Sequence, residues 1–482
     1  MKSNRRDFLK MTGVVGAGLT GAGMLPGCTS KPGETNTNLS HIREQASKQH
    51  TQTFNMKGYA APALDIVRVG ITGVGNRGSG TVRRLASIQG VEIKAINDVR
   101  EEQVNAAIES VSATQNPEGY YRDENDWMRM CERDDIDLIA ICTPWSLHAE
   151  QAIYAMEHGK HVYCELPAAY TVDDCWQLVE TSERTKQQYM QMSGSCHGGV
   201  SAAILNMARN NVLGEIIHGE GGYIHDLTDS HLFRKEVYYS MWRLHENIGR
   251  HGNLYPQHAL VPMMQLMDIN YGDRFDYLVS MQTNDFNHNR RAKELAEEDD
   301  FWQQFVDQDF RGNMNNTLIR TIQGRSILIQ HDVSTPRPGI RFNLIQGSKG
   351  TYHARPDRIG FDYGGWVSQE EYDQLIEEYT PEITKRFQEL MERARTERVG
   401  HSYGFVNPTD WRLIDCLHNG IPTEMDVYDA AVSSVVIPLS EWSVANRSSA
   451  IDVPDFTNGA WERNHRGMNV NLETGGGTTL LV

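Results

Sequence analysis

The chain has 482 residues, 39% of them hydrophobic, which is enough for two domains with their own buried cores. Its 46 basic and 63 acidic side chains leave a net charge of −17, which argues against a nucleic-acid partner and against an electrostatic grip on anionic membrane. The cysteines, at 28, 131, 142, 164, 175, 196 and 416, form no C-x-x-C pair and no zinc spacing, so no metal site is predicted, and Cys142 and Cys164 read as small buried hydrophobes in apolar runs.

The N-terminus reads as an address. Asn4-Arg5-Arg6-Asp7-Phe8-Leu9-Lys10 is similar to a twin-arginine export signal. A glycine-rich apolar stretch, too short for a membrane span, leads to Leu25-Pro26-Gly27-Cys28, which resembles the lipobox of bacterial lipoproteins. Residues 1–28 are therefore expected to be a twin-arginine/lipoprotein signal, with Cys28 lipidated and the chain in the periplasm or on the cell surface. The polar stretch that follows is expected to be a flexible tether over 29–64. The twin-arginine route carries folded proteins, so a cofactor made inside the cell can leave already bound.

An apolar run at 66–72 then reads as a buried parallel strand. It ends in G-x-G-x-x-G, made by Gly73, Gly75 and Gly78. A helical pattern follows to 88, and a second apolar run, 91–96, stops at Asp98. Gly73 allows the tight turn, Gly75 lets the backbone approach a pyrophosphate, and Gly78 lets helix and strand pack closely. The helix N-terminus offers free N–H groups to the phosphates. Asp98 stands where an acid accepts from the adenine ribose hydroxyls, which favours NAD over NADP.

The alternation continues. A helix is expected over 101–112, a strand over 136–142, a helix over 149–158, a strand over 161–164, a helix from the Thr171/Asp174 capping box to about 186, and a strand over 188–192. This spacing gives a doubly wound parallel sheet over 65–192, with ligands at the carboxyl ends of its strands. Asn76, Arg77, Asp98, Trp145, His148 and Glu165 all follow strand ends and should face one crevice; for His148, capping the next helix is as good an account.

From 193 to 482 the βα period stops. Strand-like runs at 215–224, 277–282, 317–321, 326–332 and 342–346 point to a large open sheet. Helical patterns cover 369–395 and 427–444. The expected fold class is therefore α/β: an N-terminal Rossmann doubly wound parallel sheet plus a C-terminal α+β domain with a large open mixed sheet. Tyr223, His225, Asp226, Trp242, Arg243, His245, Tyr255 and His258 make an aromatic and imidazole cluster in non-periodic segments, able to relay protons and hold a sugar.

The order of strand and GxGxxG, acid, Cys142-Thr143-Pro144, His148 and Glu165-Leu166-Pro167 resembles the glucose–fructose oxidoreductase and inositol dehydrogenase (Gfo/Idh/MocA) superfamily, over roughly 65–450. Typical members carry a proton-transferring lysine where this chain has Leu166, which argues against an ordinary sugar or cyclitol dehydrogenase, the alternative reading.

A narrower resemblance is to glycoside hydrolase family 109, the NAD-dependent α-N-acetylgalactosaminidases. It is carried by Gly75-Asn76-Arg77-Gly78, Trp145-Ser146-Leu147-His148, Tyr223-Ile224-His225-Asp226-Leu227, Trp242-Arg243, Asn253-Leu254-Tyr255-Pro256-Gln257-His258, Pro336-Arg337-Pro338, Trp411 to Cys416 and Met425 to Ala430. The resemblance implies NAD contacts at Asn76, Arg77, Asp98, Trp145, Ser146, Leu147, His148, Glu165, Leu166, Ser195 and His258, and sugar contacts at Tyr223, Arg243 and Tyr255; the indole of Trp242 is by its own chemistry suited to pack on a pyranose face. It implies a redox-neutral cycle: oxidation at carbon 3, loss of the carbon 2 proton with elimination of the aglycone, water addition and return of the hydride. His258 is expected to serve the carbon 3 hydroxyl, and Tyr255 or His225 to be the carbon 2 base. Departures fall at Gly339, where the family carries a tyrosine, at Ser195, where it carries an asparagine, and in the 400–405 segment. A homodimer through the open sheet suits the superfamily, and a glycan or glycoconjugate is the expected partner.

Overall fold

The apolar runs of the first half pair in parallel. The computed structural model, which describes residues 39–193, 197–361, 364–397, 406–468 and 470–481, sets β1 (Val67–Thr72) between β2 (Val91–Asn97) and β4 (Leu138–Ile141). β3 (Glu118–Tyr120) lies outside β2, and β5 (His161–Cys164) and β6 (Tyr189–Gln191) lie beyond β4, so the order is β3-β2-β1-β4-β5-β6. Val67, Val69 and Ile71 have no exposed surface, because helices cover both faces of a parallel sheet. Helix α1 (Gly78–Ala86) shows how the cover forms: Gly78, Thr81, Val82, Leu85 and Ala86, three or four residues apart, make one buried stripe. Each fully buried aliphatic side chain contributes about 1.5–3 kcal/mol. Helix α2 (Val172–Thr185) begins as expected, with the Thr171 hydroxyl accepting from Asp174 N at 3.0 Å.

The second half forms a mixed sheet of eight strands. These are β7 (Ile216–Ile224), β8 (Phe275–Gln282), β9 (Asn315–Thr321), β10 (Ser326–Asp332), β11 (Ile340–Gly347), β12 (Gly350–Ala354), β13 (Asp357–Phe361) and β14 (Ile451–Asp452), in the order β13-β12-β11-β7-β10-β9-β8-β14. β7 and β10 run parallel and the other neighbours antiparallel. Helix α3 (Gln257–Leu266) crosses the inner face of β7. It comes close because β7 carries Gly219 and Gly221: a Cβ there would stand 3.1 Å from Met263 Sδ and 2.8 Å from Ala259 Cβ. Two further helices, α4 (Val427–Ser434) and α5 (Val436–Ala445), fill the space beside β6 and β8.

Several expectations need correction. The helix expected over 369–395 is two, Gln369–Tyr379 and Glu382–Glu397, because Pro381 keeps the preceding residue out of the helical region. The one expected over 427–444 divides at Val435, where Pro438 cannot donate to the Ser434 carbonyl. No helix is expected at α3 or at Gly199–Arg209, where the structure has one; both are buried on several sides, which hides the 3.6-residue rhythm. The tether expected over 29–64 is, from Leu39 on, a packed strap. A short helix, Ser40–Ala46, leads to His50, whose ring lies 5.1 Å from that of Trp176 and whose Nε2 is 3.2 Å from Glu183. Lys57 Nζ is fully buried, donating to Asp426 at 2.8 Å and 2.9 Å from Asp429. Polar composition misled here because these polar groups are paired, not solvated. The expected signal 1–28 with Cys28, the tether's start, Ser195 and the 400–405 segment lie outside the described residues.

Candidate active site: a dinucleotide loop facing an aromatic basket

The loop after β1 has the shape its glycines permit. Gly73 has φ +80°, and a Cβ there would stand 2.7 Å from Thr143 N. A Cβ on Gly78 would stand 1.8 Å from Gly73 O. Gly75 is different: its missing Cβ would meet the tip of Arg100, at 2.9 Å. The first and third glycines therefore close the turn, and the second opens it to a ligand. Arg77, at the N-cap of α1, makes no side-chain cap bond; Ser79 N donates to Gly75 O and Gly80 N to Arg77 O, both at 3.2 Å, so the loop closes on the helix start and turns the positive end of its dipole to the crevice. The Asp98 carboxylate stands at the end of β2, 7% exposed, accepting from Val74 N at 3.0 Å and from Arg100 Nε at 3.1 Å. Glycine cradle, helix start and acid together fit a dinucleotide.

Across the crevice stands a basket of rings. Tyr223, on β7, lies between His258 of α3, stacked at 5.1 Å, and His331 of β10, stacked at 5.9 Å. Tyr255 stands edge-on to Tyr223 at 4.8 Å and to His258 at 4.8 Å, and stacks on Trp145 at 4.9 Å. Trp242 meets Trp145 edge-on at 5.2 Å. Arg243 is set among them, donating to the hydroxyls of Tyr238 at 3.0 Å and Tyr223 at 3.1 Å. Its Cζ lies 5.0 Å from the Trp145 ring and 5.3 Å from that of Tyr255. Among the described residues no carboxylate pairs with it, so its charge is held by neutral oxygens and π faces. Such a cation is free to grip a sugar oxygen.

The electrostatics assign protonation states. Burial first, and then the positive charges of Arg341, Arg243 and Arg77, push His258 well below the usual imidazole range. Burial and the same Arg341 and Arg243 push His225 down. Both imidazoles are neutral near pH 7 and able to accept a proton. Burial, followed by the charge of Glu165, pushes Tyr255 far up, so its phenol keeps its proton. Burial raises the Cys142 thiol to about 12, in keeping with its reading as a small hydrophobe.

The sequence-expected residues therefore separate. Gly73, Gly75, Gly78, Asp98, Arg77 and Glu165 meet at the crevice, Arg77 Nε standing 3.3 Å from Glu165 with its side chain 71% exposed. Tyr223, Trp242, Arg243, Tyr255 and His258 meet in the basket. Leu166 is buried in the same apolar cluster as Trp145. Asn76, Ser146 and Leu147 lie at the surface. His148 is set apart from both groups: its ring is fully buried, with Nδ1 2.7 Å from Pro167 O and Nε2 2.9 Å from Thr143 O, at the start of the helix His148–Glu157. The two candidates for the carbon 2 base differ in their surroundings: burial keeps the proton on the Tyr255 phenol, while burial and neighbouring arginines keep the His225 imidazole neutral. Asp226 caps its own turn, bonded by Thr228 N at 3.1 Å, and does not orient His225. A side chain at Gly339 would press on the His225 ring, 3.1 Å from Nδ1.

Tyr238, His331, Arg100 and Arg341 escaped the sequence reading. Tyr238 had a signal, four residues before Trp242; His331 had none, since it depends on β10 pairing with β7, which sets it opposite Tyr223.

The chain matches two family models. Residues 67–193 match the oxidoreductase family NAD-binding Rossmann fold, and residues 200–463 match the glycosyl hydrolase 109 C-terminal domain. A glycosyl hydrolase family 109 protein of Shewanella sp. (strain W3-18-1) is 40% identical over 464 residues, covering 95% of this chain and 97% of its own length. An alpha-N-acetylgalactosaminidase of Shewanella oneidensis is 38% identical over 464 residues with the same coverage. Among solved structures, levoglucosan dehydrogenase in complex with NADH superposes with a TM-score of 0.60 at 18% identity, over 81% of this chain and 99% of that one. An NAD-binding oxidoreductase from Klebsiella pneumoniae gives 0.59 at 14%, over 81% and 100%. The chain belongs to glycosyl hydrolase family 109, an NAD-dependent enzyme whose dinucleotide loop and aromatic basket sit on two sheets of an oxidoreductase fold.

Proposed function

We propose that the chain removes terminal α-N-acetylgalactosamine, or a closely related sugar, from glycans by transient oxidation at carbon 3. One observation carries the reading: a dinucleotide loop faces two neutral imidazoles and an unpaired arginine, with Leu166 buried where superfamily dehydrogenases carry a lysine. Gly73, Gly75, Gly78 and Asp98 would hold NAD, which would supply a reversible acceptor for the carbon 3 hydride. His258 takes the carbon 3 hydroxyl proton and later gives it back. Arg243, braced by Tyr223 and Tyr238, holds a sugar oxygen and stabilises the negative charge that collects on the carbonyl oxygen when the carbon 2 proton is removed. Oxidation at carbon 3 makes the carbon 2 proton acidic, and His225 removes it as the aglycone leaves from carbon 1. Tyr255 donates its hydroxyl to the sugar, and Trp242 covers the pyranose face.

Assay of p-nitrophenyl α-N-acetylgalactosaminide with no NAD added, together with NAD released by denaturation of the same sample, tests the reading. Aglycone release with near-stoichiometric NAD is expected. Activity that needs added NAD in stoichiometric amount would overturn it.

The same reading takes 1–28 as an exported lipoprotein signal anchored at Cys28, and 65–192 and 193–482 as the cofactor and substrate domains. Cell fractionation of the wild type and Cys28→Ala tests the anchor, the variant being expected in the soluble periplasmic fraction. A homodimer through the outer face of the second sheet is supported by Met281 (60% exposed) and Leu318 (48%), which stand on adjacent strands of that face.

A further inference from the structure

We propose that Tyr239 and Arg100 form a clasp across the adenosine end of the cleft, and that this clasp retains NAD between turnovers. The inference rests on the NAD-dependent reading and goes beyond it.

Arg100 follows β2 and turns back over the dinucleotide loop. Its Nε donates to Asp98 Oδ1 at 3.1 Å and its Nη2 to Asp98 Oδ2 at 3.4 Å. The same Nη2 lies 2.9 Å from where a Gly75 Cβ would stand, directly over the glycine that opens the loop. A guanidinium donates in its plane and stacks through its faces. One face of this one is taken: the Tyr239 ring centre lies 5.2 Å from Arg100 Cζ. Tyr239 belongs to the substrate half of the molecule. It is 54% exposed and projects across the cleft instead of entering a core.

The chain holds it there at a conformational cost. Ser240 and Met241, directly after it, both have left-handed backbones, with φ 50° and 51°, which non-glycine residues rarely adopt. Met241 N donates to Tyr238 O at 2.8 Å, and the Met241 side chain is buried in the basket's apolar cluster. The result is two adjacent tyrosines facing opposite ends of one cleft. Tyr238 accepts from Arg243 at the sugar end, and Tyr239 covers Arg100 at the adenosine end. A dinucleotide seated on the loop leaves past this pair. Retention suits a cofactor that is regenerated in place and not exchanged.

The test uses full-length protein, with NAD per chain measured after denaturation and its release rate measured by exchange with excess 1,N6-etheno-NAD. Tyr239→Phe keeps the ring and should hold NAD as the wild type does. Tyr239→Ala should release NAD at least tenfold faster and emerge substoichiometric from prolonged dialysis. Tyr239→Leu, which keeps bulk without a π face, should behave like the alanine variant and reports in its place if the alanine variant does not fold. Retention equal to wild type in the leucine or alanine variant, with NAD present in the wild type, overturns the clasp alone. A wild type that carries no NAD overturns both the clasp and the reading beneath it.

Discussion

At the scale of single residues, the site depends on what burial does to protons. His258 and His225 are kept neutral by desolvation and by arginines around them, and are poised as bases. Replacing His258 by Gln should lower kcat by about 10²–10⁴-fold, the usual worth of a positioned acid–base group, in steady-state assays of aglycone release. The pH profile carries the sign. A base works in its neutral form, so activity falls as pH drops through its pKa, and the lowered pKa places that acid limb below the ordinary histidine value. Arg341→Gln removes a positive charge acting on both imidazoles, so their pKa values rise and the limb moves to higher pH in kcat/KM profiles. Motif resemblance brought these histidines and tyrosines to notice, but not their protonation. Tyr255 and His225 read alike in the sequence as carbon 2 base candidates, because the burial and neighbouring charges that set their protonation belong to the fold.

At the scale of elements, close approach is the theme. Gly78→Ala would drive a Cβ into the Gly73 carbonyl, so α1 must shift away from β1. Such overpacking costs about 1–3 kcal/mol, and the variant should show both a lower Tm and loss of copurified NAD on denaturing release. The strap is the opposite case, a polar segment that became interior. Lys57→Ala leaves Asp426 and Asp429 buried without their cation, and urea denaturation should show a loss of about 3–5 kcal/mol. The glycine motif was legible because it is local: strand, turn and helix follow within a dozen residues. The strap was not, because Lys57 and its carboxylates are more than 350 positions apart. α3 was missed for a related reason. Its buried face is defined by two glycines of β7, and nothing in its own composition marks which sides are covered.

At the scale of the molecule, many buried imidazoles make the fold acid-sensitive. His148, His161, His258 and His331 are all pushed below the usual range, first by burial, and His161 to about 4. Unfolded, each takes a proton near pH 6.5, so below that pH the unfolded chain binds more protons and stability falls as pH falls. Asp426, raised to about 6 by burial, runs the other way over its own range, one group against four. Glu424, held at about 2 by Arg412 and His197 against its burial, extends the loss below its ordinary 4.5. Thermal melts from pH 7.5 down to 5 should show Tm declining; a Tm constant or rising over that range would contradict the account.

Much of the design is written locally. Hydrophobic period, glycine spacing and the acid after the second strand determine a Rossmann half and its dinucleotide, because a turn and a helix start are decided by neighbours in the chain. The run of β-forming segments after 215 likewise determines that a second sheet exists. What the tertiary structure alone decided is which strand lies beside which, and hence that His331 backs Tyr223, that Arg243 sits among rings and not beside a carboxylate, that the His148 ring is buried between two backbone carbonyls, and that Tyr239 reaches Arg100. Those are contacts between distant parts of the chain. Their energies depend on desolvation and on partners that only folding brings within reach.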